Sequence, residues 1–444
     1  MGPMFPNYHG FMLLIAGMAS VLSCSTPQQG QARENKAVTI TASRPADTTK
    51  TDQFLESLMR QYPRYFDSVL ANRSAWNVQV IYTQVDRGAN GIPALRHHYF
   101  NVNPARYFYP ASTVKLPIVL LALQKLNELR QTGIDRNTTM ITETAYSGQT
   151  SVYNDPTSPN GTPSIGQYIK KILMVSDNDA YNRLYEFLGQ EYINAELHKK
   201  GFADAQVLHR LDVFLTEEEN RRTNPILFTD SSGTILYRVP AQRNGAVYAT
   251  RTDSLGNAFY RRGQLVNGPM DFSRKNRLSL EDLHTFLLGV IFPEKVPAAN
   301  RFNIRGEDRQ FVLKYMSQYP TESLYPPYAY DTASYWPAYC KFILFGGAKG
   351  AVPPHLRIFN KVGDAYGHML DVAYVADFKN KIEFFVSAVI YCNSDGVLND
   401  DQYDYKTIGL PFMQHLGEVL YEYELKRERR IKPDLSPVSF TYDK

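Results

Sequence analysis

At 444 residues, 43% hydrophobic and 21% charged, the chain has the composition of an ordinary globular protein and the length to bury a sizeable core. A formal net charge of +4 is too small to argue for nucleic acid as a partner. The three cysteines, Cys24, Cys340 and Cys392, form no Cys/His cluster with metal-ligand spacing. No metal and no other cofactor is therefore expected, and whether Cys340 and Cys392 pair stays open.

The first segment carries a short apolar run, Phe11 to Leu22, that ends in Val21-Leu22-Ser23-Cys24. The run is too short to span a bilayer as a mature helix. It resembles a bacterial lipoprotein signal, with residues 1–23 removed and Cys24 as the lipid-bearing first residue, although no Lys or Arg precedes it, only His9. The alternative is an ordinary cleaved signal peptide with an incidental cysteine. Both readings export the protein, and the first makes it a membrane-anchored lipoprotein facing the periplasm or the cell exterior. Residues 24–52, rich in Gln, Thr, Ser and Pro and without an apolar period, read as a disordered tether.

From there to residue 427 the chain reads as one folded domain, followed by a C-terminal tail over 428–444. FLESLMRQYPRYFDSVL has the pattern of an interrupted amphipathic helix; WNVQVIYTQV and LRHHYFNV read as strands across the turn-rich RGANGIP. The run LPIVLLALQKL after FYPASTVK predicts a strongly apolar helix. SIGQYIKKILMV, NDAYNRLYEFLG and QEYINAELHKKG continue a helical middle. TILYRV, AVYATR and AFYRR read as a small antiparallel ribbon over about residues 229–263, each strand ending near an arginine (Arg238, Arg251, Arg261). Two further helices, LSLEDLHTFLLGVIF and RQFVLKYMSQY, precede three strands, HLRIFNKV, MLDVAYVAD and KIEFFVSAVIY, and a final helix from about Leu410 to Arg427. Strands and a helix at both ends, with helices between, predict an α/β sandwich whose ends share one sheet and whose middle is an inserted helical lobe.

Three short stretches carry chemistry. Ser112 is the one serine in the chain with a lysine, Lys115, three positions on, and the pair opens the apolar helix. A helix this apolar desolvates Lys115, which disfavours its ammonium and leaves an amine able to take the proton of Ser112. The second stretch, Ser176-Asp177-Asn178, precedes a helical run and equally suits a plain N-cap. In the third, FNKVGDAYG, Lys361 brings charge to a strand and Gly363 allows another backbone to come close.

Together the three resemble the Ser-x-x-Lys, Ser-Asp-Asn and Lys-Thr-Gly set of the penicillin-recognising serine enzymes, class A β-lactamases above all. The likeness extends to Ala180 and Asn182, to Arg210-Leu211-Asp212, and to Tyr366-Gly367 and Asp371. It implies a β-lactamase or DD-peptidase-like fold, an antiparallel sheet flanked by helices with an all-helical lobe. It also implies roles: Ser112 as nucleophile and Lys115 as its activator, with Ser176 relaying a proton to the leaving nitrogen. Asn178 would hold the substrate amide, Asp177 would be buried and hold its loop, and Lys361 would attract a substrate carboxylate and tune Ser176. The backbone N–H groups of Ser112 and Asp364, beside Gly363, would form an oxyanion hole.

Two departures bear on activity. Val362 stands where the family has a hydroxyl residue that helps hold the substrate carboxylate. The position of the glutamate that activates the deacylating water falls on or beside Leu215 and Thr216, so that Glu217, in the acidic run Glu217-Glu218-Glu219 before Asn220, is the candidate base. The resemblance therefore implies a serine hydrolase acting on an amide or β-lactam bond, its substrate a small molecule or a fragment of peptidoglycan. The alternatives are a cell-wall peptidase or penicillin-binding protein with slow deacylation, or a binding module that kept the fold and lost turnover.

Overall fold

The structure, a computed structural model, describes residues 48–444. The signal segment 1–23, Cys24 and the tether as far as residue 47 lie outside the described residues. Where the description begins, the chain is already held: Lys50 bridges Val102 in backbone register, and Asp52 caps the first helix by accepting from Phe54 N. The folded part thus starts before residue 52, because these residues lie along the edge of a sheet.

The interrupted helix is two, α1 (Gln53–Arg60) and α2 (Pro63–Ala71), broken where Pro63 starts the second. Strands β1 (Gln79–Arg87) and β2 (Pro93–Phe100) form a hairpin. A 3-10 turn, Ala111–Val114, then leads into α3 (Lys115–Glu128). The central lobe holds β3 (Thr139–Thr142), α4 (Ile165–Val175), α5 (Asn178–Leu188), α6 (Gln190–Lys199) and the short α7 (Glu217–Asn220). Strands β4 (Ile226–Thr229), β5 (Ile235–Val239), β6 (Ser254–Leu255), β7 (Ala258–Arg261), β8 (Gln264–Asn267) and β9 (Met270–Asp271) follow. Then come α8 (Leu280–Ile291) and α9 (Gly306–Ser317), strands β10 (Leu356–Ala365), β11 (His368–Asp377), β12 (Ile382–Tyr391) and β13 (Val397–Leu398), and α10 (Leu410–Lys426).

The two ends of the chain meet in one antiparallel sheet of order β10-β11-β12-β1-β2. Both of its faces are buried, so its inner strands β11, β12 and β1 are buried over most or all of their length, apolar for the most part but with buried polar residues such as Thr83, Asp371 and Ser387 among them. Along β12, Phe384, Val386 and Ile390 face one core with residues of α1, α2 and α10, while Phe385 and Val389 face the other with α3, α8 and the lobe. Helix α3 lies between sheet and lobe with Leu116, Ile118, Val119, Leu120, Leu121 and Leu123 all fully buried. Each such side chain contributes about 1.5–3 kcal/mol of transfer free energy. The fold is the expected α/β class, an antiparallel sheet flanked by helices with a helical lobe.

The ribbon over 229–263 is not one unit. β5 pairs with β4, which pairs with β3; the AVYATR segment forms no strand; β7 pairs with β8 and, in parallel, with β13. Alternating residues there found partners far along the chain, which local pattern does not reveal. The tail over 428–444 belongs to the body: Leu435 and Val438 are buried in the larger core, and Asp443 accepts from Lys314 Nζ at 3.3 Å and Gln318 Nε2 at 3.2 Å.

Strand β10 is the sheet edge against which the 3-10 turn sits, and Gly363 makes the contact. A Cβ at Gly363 would lie 2.8 Å from Ser112 N and 2.9 Å from Thr113 N. Gly363→Ala is therefore expected to push the turn off the strand, lowering stability by about 1–3 kcal/mol and slowing reaction at Ser112. Unfolding midpoints and Ser112 labelling rates check this; a variant equal to wild type in both would show the contact to be soft.

Candidate active site

Ser112 sits in the 3-10 turn, half-buried, and lines two cavities of about 710 Å³ each. Its hydroxyl has no hydrogen-bond partner among the described residues, which leaves the oxygen free toward the cavities. Lys115, one turn on, is fully buried. Its Nζ donates to Asn178 Oδ1 at 2.6 Å, to Ser176 Oγ at 3.3 Å and to the Ser176 carbonyl. Those acceptors suit an ammonium, but burial, and after it the positive charge of Lys361, hold the Lys115 pKa well below the usual lysine range.

The Ser-Asp-Asn stretch divides its work residue by residue. Ser176 closes α4 in the left-handed conformation, at φ 61° and ψ 35°, which aims both its carbonyl and its hydroxyl at Lys115. Asp177 is half-buried, not fully buried as expected, and caps α5 by accepting from Ala180 N at 2.8 Å. Asn178 opens α5 and turns its carbonyl oxygen to Lys115. From β10, buried Lys361 donates to Ser176 Oγ at 2.7 Å and to Val362 O at 2.8 Å. Burial lowers its pKa to about 8. Val362 lines one cavity and brings no hydroxyl, and exposed Asp364 lines both. Asp371 lies beneath the site, accepting from Phe342 N at 3.0 Å, Ile343 N at 2.9 Å and Asn360 Nδ2 at 2.8 Å.

The loop after α6 is tied down by the residues that flank it. Asn182 exchanges two hydrogen bonds of 2.9 Å with the Leu211 backbone. Arg210 pairs with buried Glu186 at 3.1 Å, and Asn220 Oδ1 accepts from Arg210 N at 2.8 Å. The result sets Asp212 at φ 56° on the cleft, where its Oδ2 accepts from Asn178 Nδ2 at 3.4 Å. Asp212 lines both cavities that Ser112 lines.

Glu217 does not reach that place. Its carboxylate pairs with Arg221 at 3.1 Å and sits 3.9 Å from Arg274, and it lines a different cavity. Glu218 pairs with Arg222 and Arg243, and Glu219 completes a capping box with Thr216. Leu215 likewise lies outside the Ser112 cavities. Counting along a loop does not give the direction of its side chains, and here an acid at the tight turn enters the cleft while Glu217 and Glu218 turn to arginines and Glu219 turns back to Thr216. Sequence reading also missed Lys406 and Tyr405, which come from just before α10 and line both cavities; no local pattern marks them. Cys340 and Cys392 are free and buried. Among the described residues no group of three His, Cys, Asp or Glu is placed to hold a metal ion, and no helix is long and apolar enough to cross a membrane.

Among solved structures, the chain is similar to a β-lactamase from Sphaerobacter thermophilus DSM 20745, at 13% identity over 79% of this chain and 94% of that one, with a TM-score of 0.40. It is similar to PBP-A at 14% identity, 84% and 97% coverage and a TM-score of 0.44. An acyl-enzyme complex of a PBP-A mutant with penicillin G gives 15% identity, 83% and 96% coverage and a TM-score of 0.42. No curated protein matches the chain. The family model described as the β-lactamase enzyme family matches residues 64–423, a span that takes in Ser112, Ser176 and Lys361 together. With a match over so much of its length, the chain belongs to the β-lactamase enzyme family and has its serine hydrolase fold.

Proposed function

We propose that the protein is a serine hydrolase that opens an amide or β-lactam bond through an acyl-Ser112 intermediate and clears that intermediate with water. The observation that carries the reading is the convergence of two buried amines, Lys115 and Lys361, on the hydroxyl of Ser176 beside the unpartnered hydroxyl of Ser112. Neutral Lys115 takes the Ser112 proton as Oγ attacks the carbonyl carbon, and the backbone N–H groups of Ser112 and Asp364 receive the oxyanion. Ser176, hydrogen-bonded to both lysines, passes a proton to the leaving nitrogen. Asp212 then accepts a proton from the water that attacks the acyl carbonyl, the part assigned in the sequence to Glu217. The absent hydroxyl at Val362 and the carboxylates of Asp212, Asp364 and Asp401 along the cleft oppose a substrate carboxylate held there, so β-lactams serve as probes more readily than as natural substrates. Export and lipid attachment at Cys24 are proposed with it on the strength of Val21-Leu22-Ser23-Cys24. Membrane partition that Cys24→Ala abolishes supports that anchor, and a soluble wild-type protein removes it.

Intact-mass spectrometry after mixing with benzylpenicillin and a panel of cephalosporins tests the nucleophile. Wild type should gain one acyl group, Ser112→Ala none, and Lys115→Ala should acylate about 10²–10⁴-fold more slowly. An adduct on another residue, or one that persists in Ser112→Ala, removes the mechanism.

Asp212→Asn should lengthen the life of the acyl-enzyme by about 10²–10⁴-fold. Glu217→Gln is the comparison: a longer-lived adduct there, and not in Asp212→Asn, returns the base to Glu217.

Acylation should follow a bell in pH. It rises as Lys115 loses its proton, at a pH well below the usual lysine range, and falls as the Lys361 ammonium is lost near about 8. Lys361→Arg keeps its charge and should carry the falling limb to higher pH. A falling limb that stays in place in Lys361→Arg would separate it from residue 361.

A further inference from the structure

Next to the Ser112 cleft lies a second cavity of about 750 Å³, reached past Tyr366 and Asn399, which line both. The hairpin β7–β8 forms one wall and puts Arg261 and Arg262 at its turn, where Arg262 and Gly263 both have positive φ, 52° and 77°. The opposite wall is the strap after β9, with Arg274 and Lys275. Two carboxylates, Glu217 and Asp271, also line it, and of the two only Glu217 is ion-paired. Glu217 pairs with Arg221, and Asp271 accepts from Ser273 N at 2.8 Å. Arg261, Arg262 and Lys275 have no acidic partner within ion-pair distance among the described residues, so the cavity carries uncompensated positive charge.

The walls are fixed in place. Arg251 donates to the carbonyls of Phe272 at 2.8 Å, Ser273 at 3.0 Å and Lys275 at 2.6 Å, a clamp that sets the strap. β13 pairs with β7, and Asn399 Nδ2 donates to Tyr260 O at 3.2 Å, joining the hairpin to the loop that borders the Ser112 cleft. Lys275 Nζ stands 5.6 Å over the ring of Tyr366 at the junction of the two cavities. The cleft itself has the opposite sign at its rim, with Asp212, Asp364 and Asp401 against Lys406.

We infer that this cavity is a binding subsite for a peptide-like chain carrying spaced carboxylates, an arm of the substrate whose scissile bond lies at Ser112. Acidic groups along the cleft repel such an arm from the nucleophile, and the arginines one cavity away hold it, so the two charges together set the direction in which a long substrate lies. The cations are distributed over a turn and a strap, with carboxylates interleaved, and that spacing suits separated carboxylates better than one compact phosphate. The inference rests on the serine mechanism only in calling the bound chain part of a substrate.

Binding is measured on Ser112→Ala protein, which forms no acyl-enzyme, by calorimetric titration with N-acetyl-tetraglutamate amide, its tetraglutamine counterpart and inorganic tripolyphosphate. The glutamate peptide should bind, weaken as ionic strength rises from about 0.05 to about 0.5 M, and bind about tenfold or more weakly to Arg261→Gln/Arg262→Gln/Lys275→Gln protein. If the triple variant fails to fold, Arg261→Gln/Arg262→Gln, at an exposed turn, carries the same comparison. Equal binding of both peptides, or equal binding by wild type and variant, overturns the subsite; binding of tripolyphosphate without the glutamate peptide overturns the carboxylate assignment. Failure here strikes the subsite alone, whereas failure of covalent labelling at Ser112 strikes the mechanism and the naming of the bound chain as substrate, and leaves the binding itself in place.

Discussion

Two amines buried side by side are the constraint on which the rest of this molecule depends. Water would hold both as ammonium ions; the interior holds them only at a cost of several kcal/mol each, and like charges at close range add to it. The fold meets that cost by supplying acceptors from separate layers. Asn178 and the Ser176 carbonyl, from the lobe, face Lys115, while Val362 O and Ser176 Oγ face Lys361. Neither layer can be displaced without stranding an amine, so sheet edge, 3-10 turn and lobe are locked in one arrangement. The same repulsion favours a state in which one amine is neutral, and a neutral buried amine beside a free serine hydroxyl is a base waiting for a substrate.

Backbone conformation tells the same story from another side. Ala111, Ser176, Asp212 and Tyr366 are non-glycine residues with positive φ, between 45° and 61°, and each lines one or both of the cavities that hold Ser112. Such conformations cost of order 1–3 kcal/mol apiece and persist only where the surroundings over-determine them. Here the surroundings are identifiable: the close approach of Gly363 behind Ala111, the caps of α4 and α5 around Ser176, and the Asn182, Arg210 and Asn220 contacts behind Asp212.

The parts legible in the sequence are those whose signal is local. Ser112 and Lys115 stand at the head of a helix too apolar to be solvated, Asp177 is a helix cap by residue type, and Gly363 marks a close backbone approach within a strand; each is found where its pattern placed it. The meeting of both chain ends in one sheet was readable too, because strand and helix patterns alternate in the same order at either end. What escaped were pairings over long separations. β7 joins β13, far along the chain, and β5 completes a sheet with β3, so period-two patterning found the strands in TILYRV and AFYRR without naming their partners, and it made a strand of AVYATR, which forms none. The acid that faces the cleft escaped for a related reason: Asp212 and Glu217 differ by the direction of a turn, which is set by Asn182 in α5 together with Arg210 and Asn220.

Helix α3 is buried from Lys115 to Gln124 and opens to solvent in its last turn, at Glu128. Over that stretch it packs in the core shared by sheet and lobe, so the first lysine rides on an element held on every side. The borders of the cleft, Asp212 to Phe214 and Lys406-Thr407, are exposed instead. A change of volume in α3 is felt in two layers at once, whereas the tip of the β7–β8 hairpin, Arg261 to Gln264, is exposed; the strap after β9 is anchored in the core by fully buried Phe272. A helix buried over its first ten residues holds Lys115 in place and leaves the exposed rim as the part of the site free to differ.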